Sequence, residues 1–398
     1  MTKQSISHAL IAGGGIGGLA AAVALRRVGI SSTVFERADH IRDGGAGLHI
    51  WSNGMLALAH LGLADAVREI APAQSVAQFL TWRGGVLGRW PIGSFEQKYG
   101  QPTVAISRAA LHGVLAGALP DVEIRTAARV TGYRDEGNCV AVEFADGTQA
   151  RGDILIGADG VGSAVRAALL NDGPPRYNGY IAWRGHSLMH HNLIPTGTFA
   201  ALFGPGTRFT YYDIAPGVVH WMSVANGPAG GRDNGSARDV AAMLADRHRG
   251  WVDPVPDILA ASEPDSIVRG DVVDRPPSKK WGDGRVTLLG DAAHAITFNV
   301  GQGACQAIED AAVLAQQLAR TDDPVVALRA YEAERYPRTA SMQRMAYWIG
   351  RLGAVRGAPA VAAREVLMKA TWTRLGFRGT ENDHVAYGTR WTDLVPVK

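Results

Sequence analysis

His8-Ala-Leu-Ile-Ala-Gly13-Gly-Gly15-Ile-Gly-Gly18-Leu-Ala-Ala-Ala-Val-Ala-Leu carries no acidic or basic residue before Arg26, and the chain then reaches Ser32-Thr-Val-Phe-Glu36. The apolar residues Ala9 to Ala12 read as the end of a buried strand. The glycines that follow interrupt any signal-peptide core or membrane span, and Leu19 to Val28 resumes with helical character. Ser32 to Phe35, rich in β-branched and aromatic residues, reads as a second strand ending at Glu36. The unit is strand, tight turn, helix, strand. Within it Gly13-x-Gly15-x-x-Gly18 has the spacing in which Gly13 permits the turn, Gly15 lets backbone approach a pyrophosphate, and Gly18 lets the helix pack against the strand. Phosphate then meets the positive helix N-terminus. Glu36 follows Gly18 at the distance where a carboxylate can accept hydrogen bonds from a ribose diol, and it disfavours a 2′-phosphate.

Two more apolar strands run into glycine–aspartate turns. Arg151-Gly-Asp153-Ile-Leu-Ile-Gly-Ala-Asp159-Gly160 precedes a helical stretch with Ser163 and Arg166. Arg285-Val-Thr-Leu-Leu-Gly290-Asp291-Ala-Ala-His294 precedes Gly301-Gln302-Gly303 and a helix from Ala304 to Arg320. Composition narrows the rest. The chain has 398 residues, 46% hydrophobic and 19% charged, enough to bury a sizeable core. Its net charge of +3, without a dense basic block, argues against a nucleic-acid partner. Cys139 and Cys305 are its only two cysteines, which excludes a disulfide framework and a thiolate metal site and fits a reducing cytoplasm. There is no Walker A loop, no H-E-x-x-H and no G-x-S-x-G elbow. No second G-x-G-x-x-G marks a separate nicotinamide module, and adjacent His190 and His191, on opposite faces of an expected strand, are not expected to bind metal.

These three separated motifs, in this order, resemble the single-component FAD-dependent aromatic hydroxylases, the group A flavoprotein monooxygenases. The likeness spans residue 8 to about residue 340. It implies an α/β fold: a Rossmann-like FAD-binding domain of the para-hydroxybenzoate-hydroxylase type, an inserted antiparallel-sheet substrate domain, and C-terminal helices. The domains expected are a discontinuous FAD-binding domain of residues 1–77, 101–176 and 275–330, a sheet domain of residues 78–100 and 177–274, and a helical segment of residues 331–398. In this family Gly13, Gly15, Gly18 and Glu36, with Arg37 beside it, bind the ADP part of FAD. Asp159 with Gly160 supports the pyrophosphates, Asp291 the ribityl chain, and Arg108 in Ile106-Ser-Arg-Ala-Ala-Leu111 the phosphates or ribityl region. Ala46, in Gly45-Ala-Gly-Leu48, Asn53, and Gly301, Gln302 and Gly303 belong beside the isoalloxazine. Two departures stand out, because Ala295 and Phe298 replace prolines that stiffen the family's flavin loop.

The resemblance further implies that NADH or NADPH reduces the flavin transiently, that O2 forms a C4a-hydroperoxide, and that its distal oxygen reaches an electron-rich aromatic or heteroaromatic ring. Ala-Trp-Arg-Gly at 182–185 is similar to the salicylate-hydroxylase and urate-hydroxylase subgroups. Alternation in Tyr180–Arg184, Arg208–Asp213 and Val218–Val224 makes each segment two-faced. By parity Arg184, Tyr211 and His220 are expected to face the substrate, with Trp183, Tyr212 and Trp221 opposite. His220 or Tyr211 would then take a proton and Arg184 would pair with a substrate carboxylate. A helix is expected at Ala237–Arg249, and helical chain from Pro324 to about Phe377. A monomer or homodimer without membrane contact is expected. Other outcomes of the same features are an FAD oxidase without oxygen insertion, an epoxidase or Baeyer–Villiger enzyme, and a non-catalytic flavin sensor.

Overall fold

The computed structural model describes residues 6–40 and 47–377. Its first sheet has six strands in the order Gly282–Asp283, Val286–Leu288, Ile154–Gly157, His8–Ala12, Ser31–Phe35 and Glu123–Arg125. All neighbours run parallel except the first pair. The central strands are continuous apolar runs because both faces are covered. On one face lies the helix Ile16–Arg27, whose run of alanines packs against the helix Gly303–Arg320. A three-stranded sheet, Gln149–Gly152, Val140–Phe144 and Val130–Asp135, joins the same core.

A second large sheet roofs the cleft that the first one opens. Its order is Val268–Asp274, Arg176–Leu188, Val218–Asn226, Thr207–Ala215, Thr198–Phe203, Val76–Thr81 and Val86–Trp90. It was expected to be antiparallel and is mixed, since Thr198–Phe203 pairs with Val76–Thr81 in parallel. Its outer face buries Trp183, Phe209, Tyr211 and Trp221 against the helices Ala237–Arg247 and Val255–Ala260. Its inner face looks into the cleft. The strands Gly47–Ile50 and Val104–Ser107 form a short antiparallel pair that packs on the roof through Ala105 against Tyr212 and Ile214.

The helical end differs from the single run the sequence suggested. Asp323 Oδ1 accepts from the backbone N–H groups of Val325 and Val326, and Pro324 takes the first helical position, so a long helix starts there and runs to Gly353. Gly357, with φ +82°, precedes a second helix, Ala358–Phe377. His190 and His191 lie beyond the end of the strand Arg176–Leu188 and not on opposite faces of it. His191 Nε2 is 2.9 Å from Asp257 instead.

Candidate active site

The nucleotide end of the cleft is built from backbone. Gly13 has φ +106°, and a Cβ there would lie 2.4 Å from the Ala158 carbonyl oxygen. A Cβ on Gly18 would lie 1.9 Å from the Gly13 carbonyl oxygen, so the helix can sit this close only as glycine. Gly18 therefore shapes the turn from behind, while Gly13 and Gly15 line the cleft. Glu36 accepts from Gly14 N–H and Ala38 N–H, each at 2.9 Å, which fixes its carboxylate at the rim with acceptor capacity to spare. Arg37 is exposed on the same rim. Ser107 caps the helix Arg108–Gly117 through Ala110 N–H at 3.0 Å, so Arg108 projects from its first turn toward Gly15.

Asp159 and Asp291 meet the cleft from two neighbouring strands. Asp159 caps the helix Ala164–Leu170, accepting from Ser163 Oγ and from Ala164 N–H at 2.7 Å, and burial still pushes its carboxyl above the ordinary range. Arg166 of that helix is buried and donates to the carbonyls of Ala292 and Ala293 at 2.9 and 2.8 Å. It thereby holds the short helix Asp291–His294 in place. Asp291 faces the open cleft with protein packed around it, and that packing raises its pKa against the pull of His294 and Arg108.

Under this loop lies a dry lattice of charges. His294 Nε2 is 2.5 Å from Asp310, Arg335 reaches Asp310 at 2.7 Å and Glu309 at 2.5 Å, and Arg338 reaches Glu309 at 2.9 Å. Burial acts to raise both carboxyls, yet the surrounding cations hold each at about 2. Asp310 also accepts from Gly290 N–H at 3.0 Å, which ties the lattice to the Asp291 turn. Gln302 was expected at the flavin. Its side chain instead turns into this lattice, exchanging hydrogen bonds with Asn53 at 3.0 and 3.2 Å, while its neighbours Gly301 and Gly303 line the cleft. Asn53 donates onward to Glu309 at 2.5 Å. Ala46 lies outside the described residues.

The roof corrects one parity expectation. Arg184 and His220 face the cleft as expected, but Tyr211 pairs across strands with Trp221 and is buried on the outer face. Tyr212, directly opposite His220, takes the inward position. Since side chains alternate, the parity of Thr207–Ala215 follows from its register with Val218–Asn226, and the isolated sequence does not reveal it. His220 is 3% exposed and packs against Gly47, where a Cβ would come within 2.6 Å of its ring. Burial, then the nearby Arg184, drive its pKa down to about 3, so it is a neutral imidazole. Arg184 Nε, Arg208 Nη2 and His220 Nδ1 are buried without a hydrogen-bond partner among the described residues.

Several residues of the site escaped sequence reasoning. His49 packs with its ring tilted against those of Tyr212 and Phe199, with centroids 4.5 and 4.8 Å away, and burial lowers its pKa to about 3. Arg208 bonds Asn299 at 2.6 Å and sits 4.9 Å over Tyr180. Phe298, standing where a loop proline was expected, fills the space beside Tyr180 and Arg208 and lines the cleft, as does Ala295. The cleft encloses about 1630 Å³. Single-ligand clefts run to about 300–1,000 Å³, so this one has room for a large cofactor and a second molecule.

A glycine turn, a carboxylate fixed at the rim beside it and a roofed cleft of this size define a dinucleotide-dependent enzyme, and the donor set fits FAD. Comparison with known proteins agrees. The FAD binding domain family matches residues 7–175 and 271–346. The aurachin C monooxygenase/isomerase of Stigmatella aurantiaca is 40% identical over 360 residues, 90% of this chain and 93% of that protein. The FAD-dependent urate hydroxylase of Klebsiella pneumoniae is 34% identical over 339 residues, 84% of this chain and 87% of its own length. The crystal structure of Klebsiella pneumoniae HpxO complexed with FAD and uric acid superposes with a TM-score of 0.88 at 30% identity, covering 96% of this chain and 97% of that one. The chain belongs to the FAD binding domain family, and it is an FAD-dependent monooxygenase.

Proposed function

We propose that this protein hydroxylates an electron-rich aromatic or heteroaromatic small molecule, with NADH or NADPH as electron donor. The balance is Ar–H + O2 + NAD(P)H + H⁺ → Ar–OH + H2O + NAD(P)⁺. Bound FAD would accept the electrons and activate O2, chemistry the side chains cannot supply. Gly13, Gly15, Arg108 and Glu36 would hold its ADP part, with Asp159 and Asp291 along the chain between nucleotide and ring. Gly301 and Gly303 would back the ring itself, and the helix that starts at Gly303 aims its positive end there.

The observation that carries this reading is the unpartnered polar set on the roof. Arg184, Arg208 and His220 are held over the Asp291 loop with bonding capacity left over. A ring hydroxyl is most reactive toward an electrophilic oxygen as its anion. The two guanidinium groups favour that anion, since an opposite charge nearby lowers a pKa. His220 accepts a hydrogen bond from the substituent without taking its proton, because a base of pKa about 3 is poorly matched to a phenol. The aromatic walls keep water from the reacting atoms.

Incubating the FAD-loaded protein with hydroxylated and amino-substituted aromatics under 18O2 tests the reading. The expected product carries one 18O atom and forms with ligand-stimulated oxidation of NADH or NADPH. Hydrogen peroxide equal to the reductant consumed, with no labelled product, identifies an oxidase. No reductant consumption with any ligand favours a flavin sensor.

A further inference from the structure

The inner face of the roof is divided along its strand order. Cross-strand pairing sets three rows on that face. In one row His220 and Tyr212 are followed by Phe199 and then Ala77 and Trp90. In the next, Arg184, Met222 and Thr210 are followed by Ala201 and Phe79. In the third, Arg208 is followed by Phe203. The strands Arg176–Leu188, Val218–Asn226 and Thr207–Ala215 thus carry every charged or titratable group of these rows. On the strands Thr198–Phe203, Val76–Thr81 and Val86–Trp90 the side chains that line the cleft are apolar, and Thr81, next in register after Phe203, lies off the cleft with its hydroxyl accepting from Gly85 N–H.

This apolar half is walled on the far side. Trp372 packs at 4.5 Å from Phe79 and 5.8 Å from Phe203 between ring centroids, and its carbonyl accepts from Trp90 Nε1 at 3.0 Å. Phe199, Trp90, Phe95 and Trp372 are half-buried, with ring surface open to the cleft, and the small side chains of Ala77 and Ala201 sit between the rings. Contiguous aromatic surface left open inside a cleft loses hydrophobic free energy unless a ligand covers it. The cavity is continuous from these rings to Arg184 and Asp291.

We propose that the substrate is a two-part molecule: a hydroxylated aromatic head under Arg184, His220 and Tyr212, carrying a hydrocarbon chain that lies in the aromatic annex beneath Phe79, Phe199 and Ala201. This deepens the hydroxylase reading and rests on it. A compact, wholly polar ring would leave the annex wet. A chain of several carbons fills it, and each buried methylene tightens binding about threefold to fourfold.

The experiment uses FAD-loaded protein and a series of 2-hydroxybenzoates bearing methyl, propyl or pentyl at position 6. Calorimetry measures Kd, and turnover is measured separately. The Kd is expected to fall about tenfold at each step of two carbons. Ala201→Phe, checked for retained FAD, is expected to collapse the methyl-to-pentyl ratio to under about threefold by filling the annex with a ring. A Kd that is flat or rises with chain length in the native protein overturns the proposal without recourse to any variant, and so does failure of every member to bind. Tighter binding of longer chains with no oxygenated product keeps the annex and sinks the hydroxylase reading. Oxygenation indifferent to chain length does the reverse.

Discussion

The polar groups beneath the Asp291 loop and those on the roof are oppositely treated. Below the loop, Glu309, Asp310, Arg335 and Arg338 satisfy one another at 2.5 to 2.9 Å, and His294 Nε2 lies 2.5 Å from Asp310. On the roof, Arg184, Arg208 and His220 keep nitrogens with no partner among the described residues. A buried charge is tolerated when paired and costly when not. The first set is therefore architecture that holds a turn, and the second is a standing cost that a ligand relieves.

Breaking the paired set should have the largest effect. Arg335→Met removes the cation that two buried carboxylates share, leaving Glu309 to Arg338 and Asp310 to His294, and is expected to lower stability by about 3–5 kcal/mol, with loss of FAD, as measured by denaturant unfolding and flavin absorbance. An unfolding free energy within 1 kcal/mol of the parent, on the order of a surface change, would show that the lattice carries no such load.

Acid should expose the neutral histidines next. His49, His220 and His248 have folded pKa values lowered to about 3, mainly by burial. Depressed histidine values mean that the unfolded chain binds more protons below the ordinary value of about 6.5. Stability is then full above that pH and falls as pH drops from 6.5 toward 3. The limiting slope is about 1.4 kcal/mol per pH unit for each histidine. Glu309 and Asp310, also held low, add to the loss only between their ordinary values and about 2. Unfolding measured from pH 7 to pH 4.5 follows the histidine loss, which Asp159 and Asp291, their carboxyls raised by burial, oppose toward the acid end. A profile flat from pH 7 to about pH 5.5 contradicts the histidines' burial as neutral rings.

Arg208→Met sharpens the contrast from the other side. It removes a charge with no carboxylate partner among the described residues, so stability is expected to change by less than about 1.5 kcal/mol, in either direction. Binding of an anionic aromatic should weaken roughly tenfold to a hundredfold, the loss of one charge-assisted hydrogen bond. Smallest of all is Tyr211→Phe. Tyr211 lies on the outer face of the roof, so turnover should be unchanged within about twofold, while Tyr212→Phe should alter it. Equal effects at the two positions would reverse the face assignment.

What the sequence shows about this molecule follows from which atoms do the work. The nucleotide end was legible because backbone geometry dictates it: only glycine tolerates the Gly13 turn and the Gly18 approach, and Glu36 must end its strand. The roof was half legible. Alternation separates two faces within each strand, and Arg184 and His220 fell on the right one, but Tyr211 did not, because which face is inward depends on pairing between strands distant in sequence. The Gln302 side chain and the Glu309–Arg335 lattice were not legible at all. Their partners lie on other helices, and a helix carrying Glu-Asp in its middle reads by itself as solvated there.

Arg208 carries one more consequence. It rises from the roof, yet its Nη1 is bonded to Asn299, whose own amide donates to Thr297 Oγ1 and to the Ala346 carbonyl at 2.7 and 3.0 Å. The guanidinium on the roof is thereby tied to the loop below and to the long helix behind it. One amide therefore joins three separate pieces of chain at the edge of the cleft.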